Sequence, residues 1–110
     1  MEIENLLKLM ELLKEEKKEN LNECGSVFQI GEKYIIRTVT FIIVGKLKMV
    51  TDKELLFESA AWIADTGRFY DFLKDGSFEE AEPFVDDAIV GRGAIVDGTL
   101  WNHDLVRAQK

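Results

Sequence analysis

A chain of 110 residues, 46% apolar and 32% charged, holds enough hydrophobic material for one globular domain that folds without a disulfide or a structural metal, and it is not a disordered polymer. Its formal net charge of -7 lacks the overall basic field of a protein that tracks phosphates. The single cysteine, Cys24, excludes an intrachain disulfide; no apolar run approaches the roughly 20 residues of a membrane helix; and Glu2 and Glu4 stand where a signal peptide carries basic residues, so the expectation is a cytoplasmic protein with no membrane partner.

The reading is of one domain, residues 1–110: an N-terminal amphipathic helix over 1–22, a bent β-barrel over 27–101 with a short helix inserted at 66–75, and a tail over 102–110. In the first segment Ile3, Leu6, Met10 and Leu13 follow three-four spacing, and Leu9 and Leu12 widen the stripe. Glu4 with Lys8 and Glu15 with Lys18 place opposite charges on the outer face. Two heptads are too short for an independent coiled coil. The expected role is a lid on one face or open end of the barrel, or packing against copies of itself in a neighbouring subunit.

The chain is organised around Tyr34–Ala61, which is rich in β-branched and aromatic residues. Val27–Ile30 is predicted as a first short strand. From Tyr34 to Phe41 both alternating faces are apolar, as in a sheet covered on both sides. Arg37 is the exception and is expected near an edge or beside a carboxylate. Gly45 interrupts an apolar run, where a small barrel would bend. Leu47 and Met49 alternate with Lys46 and Lys48, Thr51–Lys53 is a turn, and Glu54–Ala64 is the next strand, with the small pair Ala60–Ala61 permitting close approach.

Asp65-Thr66 reads as a cap before the short helix, with Gly76 as its stop and an Arg68–carboxylate pair beside it. Pro83 marks Glu79–Phe84 as an edge strand. Ala88–Val96 is predicted as one strand bent at Gly91 and Gly93, and Asp97-Gly98 as a hairpin turn leading back through Thr99–Trp101. The tail is expected to be loose or to swap onto a neighbour.

No arrangement of residues carries catalysis. Cys24 has no histidine at local spacing, His103 is the chain's one histidine, and no zinc or phosphate-loop spacing is present. The scattered aspartates Asp65, Asp71, Asp86, Asp87 and Asp97 read as caps, turns and rims. No enzyme activity, cofactor or metal is expected. Asp65, Arg68 and His103 are the residues that a small-ligand or enzymatic domain would use. Trp62, Tyr70 and Trp101 are amphipathic aromatics that suit either a core or an interface.

Two segments resemble the Sm-like family of small SH3-like β-barrels. Gly45-Lys46-Leu47, Asp52 and Leu55–Ala60 are similar to its first motif, and Ile89-Val90-Gly91-Arg92-Gly93 with Ile95-Val96 to its second. The resemblance implies a mainly β fold with an N-terminal helix (α+β), a small bent antiparallel barrel, and a habit of forming homo-oligomers. It also implies RNA contact through Arg92 and Gly93, with Lys46 and Lys48 beside them. Ile36–Thr40, Val44–Leu47, Ala60–Phe69, Gly93–Asp97, Trp101 and His103 also resemble short phage- and prophage-associated proteins.

The expected function is therefore a non-catalytic structural or interaction module that self-associates, with phage-related proteins as its likeness. Its expected contacts are Leu6, Leu9, Met10, Leu13, Trp62 and Trp101. An Sm-like RNA-binding protein is the alternative, and a small-ligand or enzymatic domain the second alternative.

Overall fold

The computed structural model describes residues 27–110. The predicted helix over 1–22, with Leu6, Leu9, Met10 and Leu13, lies outside the described residues. The elements in chain order are β1 (Lys33–Thr38), β2 (Ile42–Val50), β3 (Glu54–Asp65), α1 (Phe69–Asp75), β4 (Glu80–Pro83), β5 (Ala88–Gly91) and β6 (Ile95–Leu100), with a 3-10 turn, Arg92–Ala94, between the last two.

β3 is the spine. One side of it pairs with β2. The other side takes β5 along its first half, Glu54–Phe57, and β4 along its second half, from Ala61 to Asp65. The full order is β4-β3-β2-β1-β6. All these pairings are antiparallel.

β3 can serve two neighbours because it bends in the middle. Val44 pairs with Ala61 and Lys46 with Glu58, so Ser59 and Ala60 together oppose Gly45. This two-against-one bulge puts Ser59 at φ 52, alone in the left-handed region among the described non-glycine residues.

The alternation of β1 resolves into two cores, one on each face of the sheet. Tyr34 and Ile36 join Ile43, Leu47, Leu55, Phe57 and Val90 on the first face. Ile35 joins Val44, Ala61, Ile63, Phe72, Trp101 and Val106 on the second. Helix α1 and the tail cover that second face. Phe72 of α1 is fully buried there, and Gly76 ends the helix at φ 73 with its N–H donating to the Phe72 carbonyl.

The expectation of a closed Sm- or SH3-like barrel behind an N-terminal helix is overturned: the sheet is open. Among the described residues no ladder joins β5 to β6. The physical reason lies at Gly91 and Gly93. Gly91 ends β5 and Gly93 sits in the 3-10 turn, so the predicted strand Ala88–Val96 is two strands on opposite sides of the sheet. The outer side of β4 is taken up by the tail, where Ala81 and Lys110 exchange main-chain hydrogen bonds of 3.0 and 3.1 Å.

Three smaller expectations change as well. Val27–Ile30 is not a strand, and its end turns at Gly31, whose N–H donates to the Leu47 carbonyl. Asp97-Gly98 is not a hairpin turn but the middle of β6, paired with Arg37 and Ile36. The 102–110 tail is docked: Val106 is buried, and Gln109 Nε2 donates to both carboxylate oxygens of Glu82 at 2.9 Å.

Candidate interaction surface

An open sheet has edges, and edges carry unpaired peptide groups that other strands can use. The three edges here differ in what guards them. β4 carries Glu80, Glu82 and Pro83, and the tail covers its outer side. β5 is four residues long and follows Asp86 and Asp87, the second of which accepts a hydrogen bond from Lys48 Nζ at 2.9 Å. That bond raises the Lys48 pKa above its ordinary value.

β6 is guarded least. Its residues are Ile95, Val96, Asp97, Gly98, Thr99 and Leu100, and β1 is its one ladder partner among the described residues. Val96 is 64% exposed and Leu100 48%. Asp97 is the single charge on the strand, and it is tied down. Arg37 Nε donates to Asp97 Oδ1 at 2.6 Å, and Arg37 Nη2 donates to Oδ2, a fork that occupies both carboxylate oxygens. The hydrogen bonds from Arg37 hold the Asp97 carboxyl below its ordinary pKa, while partial desolvation opposes them. The guanidinium also lies over the Phe69 ring, 4.8 Å from its centroid, so α1 helps to fix it.

The direction of the free peptide groups follows from the register. The Trp101 N–H donates to the Lys33 carbonyl at 2.9 Å. In an antiparallel ladder this orientation alternates, so Thr99 also faces β1 while Gly98 and Leu100 turn their N–H and C=O outward. Leu100 lies across from Tyr34 and Gly98 across from Ile36, which puts both on the first-core face. Val27, Phe28 and Tyr34 join them around an open groove of about 600 Å³.

Of the residues the sequence marked for an interface, Trp62 is 38% exposed and meets Phe41 edge-on at 5.7 Å, leaving a partly open aromatic pair. Trp101 is 2% exposed; it stacks against Phe72 at 4.8 Å, and its Nε1 donates to the Asp104 carbonyl. It is a core residue of its own chain.

The residues marked for RNA do not pool their charge. Lys48 is paired with Asp87, Lys46 lies 4.0 Å from Glu58, and Arg92 Nη1 donates to the Thr51 carbonyl at 2.9 Å. Gly93 is in the 3-10 turn beside Arg92. The residues marked for a small ligand serve local structure. Asp65 Oδ1 accepts from the Gly67 N–H, and His103 Nε2 is bonded to the Leu73 carbonyl at 2.8 Å. Arg68 is the N-cap residue of α1, with no side-chain capping bond. Among the described residues no three His, Cys, Asp or Glu side chains gather as metal ligands. Nor is any helix among them long and apolar enough to cross a membrane.

The sequence reading missed the Arg37–Asp97 fork and the β6 edge. An Asp-Gly pair is so strong a turn signal that it hid a strand. The clue was Arg37, which called for a carboxylate partner without saying which. No protein family model, curated protein or solved structure matches the chain.

Proposed function

We propose that the chain is a non-catalytic structural and interaction module that self-associates into a homo-oligomer. The observation that carries this reading is the β6 edge: six residues, outward peptide groups, exposed Val96 and Leu100, and no charge left uncompensated. Soluble proteins protect such edges with free charges, proline or a covering segment. Among the described residues those devices stand at β4, through Glu80, Glu82, Pro83 and the tail, and not at β6. An edge without them, in a sheet whose opposite end is guarded, suits strand pairing. The exposed Phe41–Trp62 pair adds apolar area elsewhere on the molecule.

Size-exclusion chromatography with light scattering on serial dilution tests the proposal. The expected mass at high concentration exceeds the 12.6 kDa of one chain and falls on dilution. A mass of one chain at every concentration overturns it.

A further inference from the structure

We infer that self-association occurs by antiparallel pairing of β6 with β6 of a second copy, about a two-fold axis centred on Thr99. The inference rests on the self-association proposed above and adds the partner, the symmetry and the register.

A two-fold contact uses the same patch on both copies, so the patch must complement itself. An edge strand that pairs antiparallel with its own copy meets this condition, and the outward groups select the register. Gly98 and Leu100 are the regular β6 residues whose peptide groups face away from β1. With the axis at Thr99, Gly98 of one copy lies opposite Leu100 of the other, and each pair exchanges two N–H···O=C bonds. Both outward residues are then satisfied on both copies. Val96 is the extra residue where Arg37 pairs with Asp97 but Thr38 with Ile95, and it takes no part.

Side chains and charge agree with this register. Gly98 has no room for a side chain on its own sheet, because a Cβ there would fall 2.8 Å from the Ile35 carbonyl oxygen and 2.8 Å from Ile36 Cδ1. Leu100 of the second copy stands directly across on the same face, where it meets Ile36 Cδ1 and no Gly98 side chain. Moving the axis to Asp97 would set two carboxylates opposite each other, which disfavours pairing. Centring on Thr99 places Asp97 opposite Trp101 instead. The joined sheets would bring the two exposed Leu100 side chains over the grooves beside Tyr34 and Phe28.

The register is read by cross-linking in the full chain carrying Cys24→Ser. Thr99 faces β1, so Thr99 and its copy form a non-hydrogen-bonded pair with Cα atoms about 4.5 Å apart. That separation suits a disulfide. Thr99→Cys is expected to give a covalent dimer on mild oxidation, while Leu100→Cys, displaced from its own copy by two residues, gives far less. In parallel, Leu100→Pro removes an outward N–H without touching the β1 ladder. It is expected to reduce the light-scattering mass to one chain while the circular dichroism spectrum is unchanged. An oligomer that persists in Leu100→Pro, or that leaves Thr99→Cys uncrosslinked, overturns this pairing and leaves self-association standing through another surface. A parent chain that is monomeric at all concentrations overturns both.

Discussion

The Cβ that Gly45 lacks would stand 2.9 Å from the Cβ of Phe57 and 3.2 Å from that of Ala60. β2 and β3 meet this closely because β3 bulges at Ser59, and both flanking side chains are fully buried in the first core. Neither neighbour is a flexible side-chain end that can swing away. Gly45→Ala is therefore expected to destabilise the fold by about 1–3 kcal/mol through overpacking. A lower urea midpoint at unchanged slope is the expected result. An unchanged midpoint would show that the bulge relaxes and is not held by the glycine.

Gly76 is constrained twice over. Its φ of 73 is one that side chains resist, and a Cβ there would lie 2.7 Å from Cγ of His103. The backbone part alone costs about 1–2 kcal/mol. Gly76→Ala should lose more than this, and His103→Ala in the same chain should return the ring's share of the steric part, while the 3.0 Å approach to the residue 103 Cβ and the backbone part stay. The check is a double-mutant cycle by denaturant unfolding, with strong non-additivity expected. His103→Ala alone also removes the bond to the Leu73 carbonyl, so it is destabilising in its own right.

How much of this was legible depends on how local each signal is. Pro83 marks an edge and Gly76 a helix stop through their own backbone chemistry, and both stand in those places. The two apolar faces around Tyr34–Arg37 announced a doubly covered sheet, and two cores cover it. Arg37 asked for a carboxylate because a lone cation amid apolar residues needs one, and Asp97 supplies it. The same reasoning failed where one residue pair admits two uses. Asp97-Gly98 suits a tight turn, but here the aspartate binds Arg37 and the glycine admits Ile36. Gly91 and Gly93 suit a bent strand, but here they frame a 3-10 turn. Whether the sheet closes depends on which distant strand each edge meets, and no local pattern encodes that. The polar character of Asn102–Lys110 hid a docked tail whose buried anchor is Val106 alone.

That anchor can be measured. Val106 is buried in the second core with Phe72 and Trp101. Removing two methyl groups by Val106→Ala is expected to cost about 1–2 kcal/mol. The loss should extend to the β4 edge, because the tail's Lys110 and Gln109 are bonded to Ala81 and Glu82. Faster amide exchange at Ala81 in the variant is the specific readout. Exchange that rises uniformly, or not at all at Ala81, would mean that the tail does not hold that edge.

The Arg37–Asp97 fork sets a pH dependence whose sign can be worked out. The folded state holds the Asp97 carboxyl below its usual value, so folding favours the ionised form. The resulting stability is fully present above the unfolded carboxyl value of about 3.9 and is lost as pH falls through the lower folded value. Thermal midpoints of the parent chain should therefore fall on acidification through that window, and Asp97→Asn should fall less over the same interval. Both groups are solvent-exposed, so the difference between the two curves is expected to be small and to shrink with added salt. Parallel curves would remove Asp97 from the acid response.

The same fork governs the response of association to salt. Copies carrying a net charge of -7 repel one another over distances comparable to the Debye length, which is about 10 Å at 0.1 M salt and about 3 Å at 1 M. The proposed β6 contact is made of peptide hydrogen bonds and Leu100, neither of which salt screens. Raising salt should therefore tighten the dimer, as read by the dissociation constant in sedimentation equilibrium. Arg37→Ala leaves Asp97 as a bare carboxylate on the edge, where it opposes pairing as edge charges do. The variant should associate more weakly than the parent chain at low salt and recover part of the difference at high salt. A dimer that instead loosens as salt rises would be held by ion pairs between copies, and the β6 edge, whose one charge is paired within its own chain, would not be its contact.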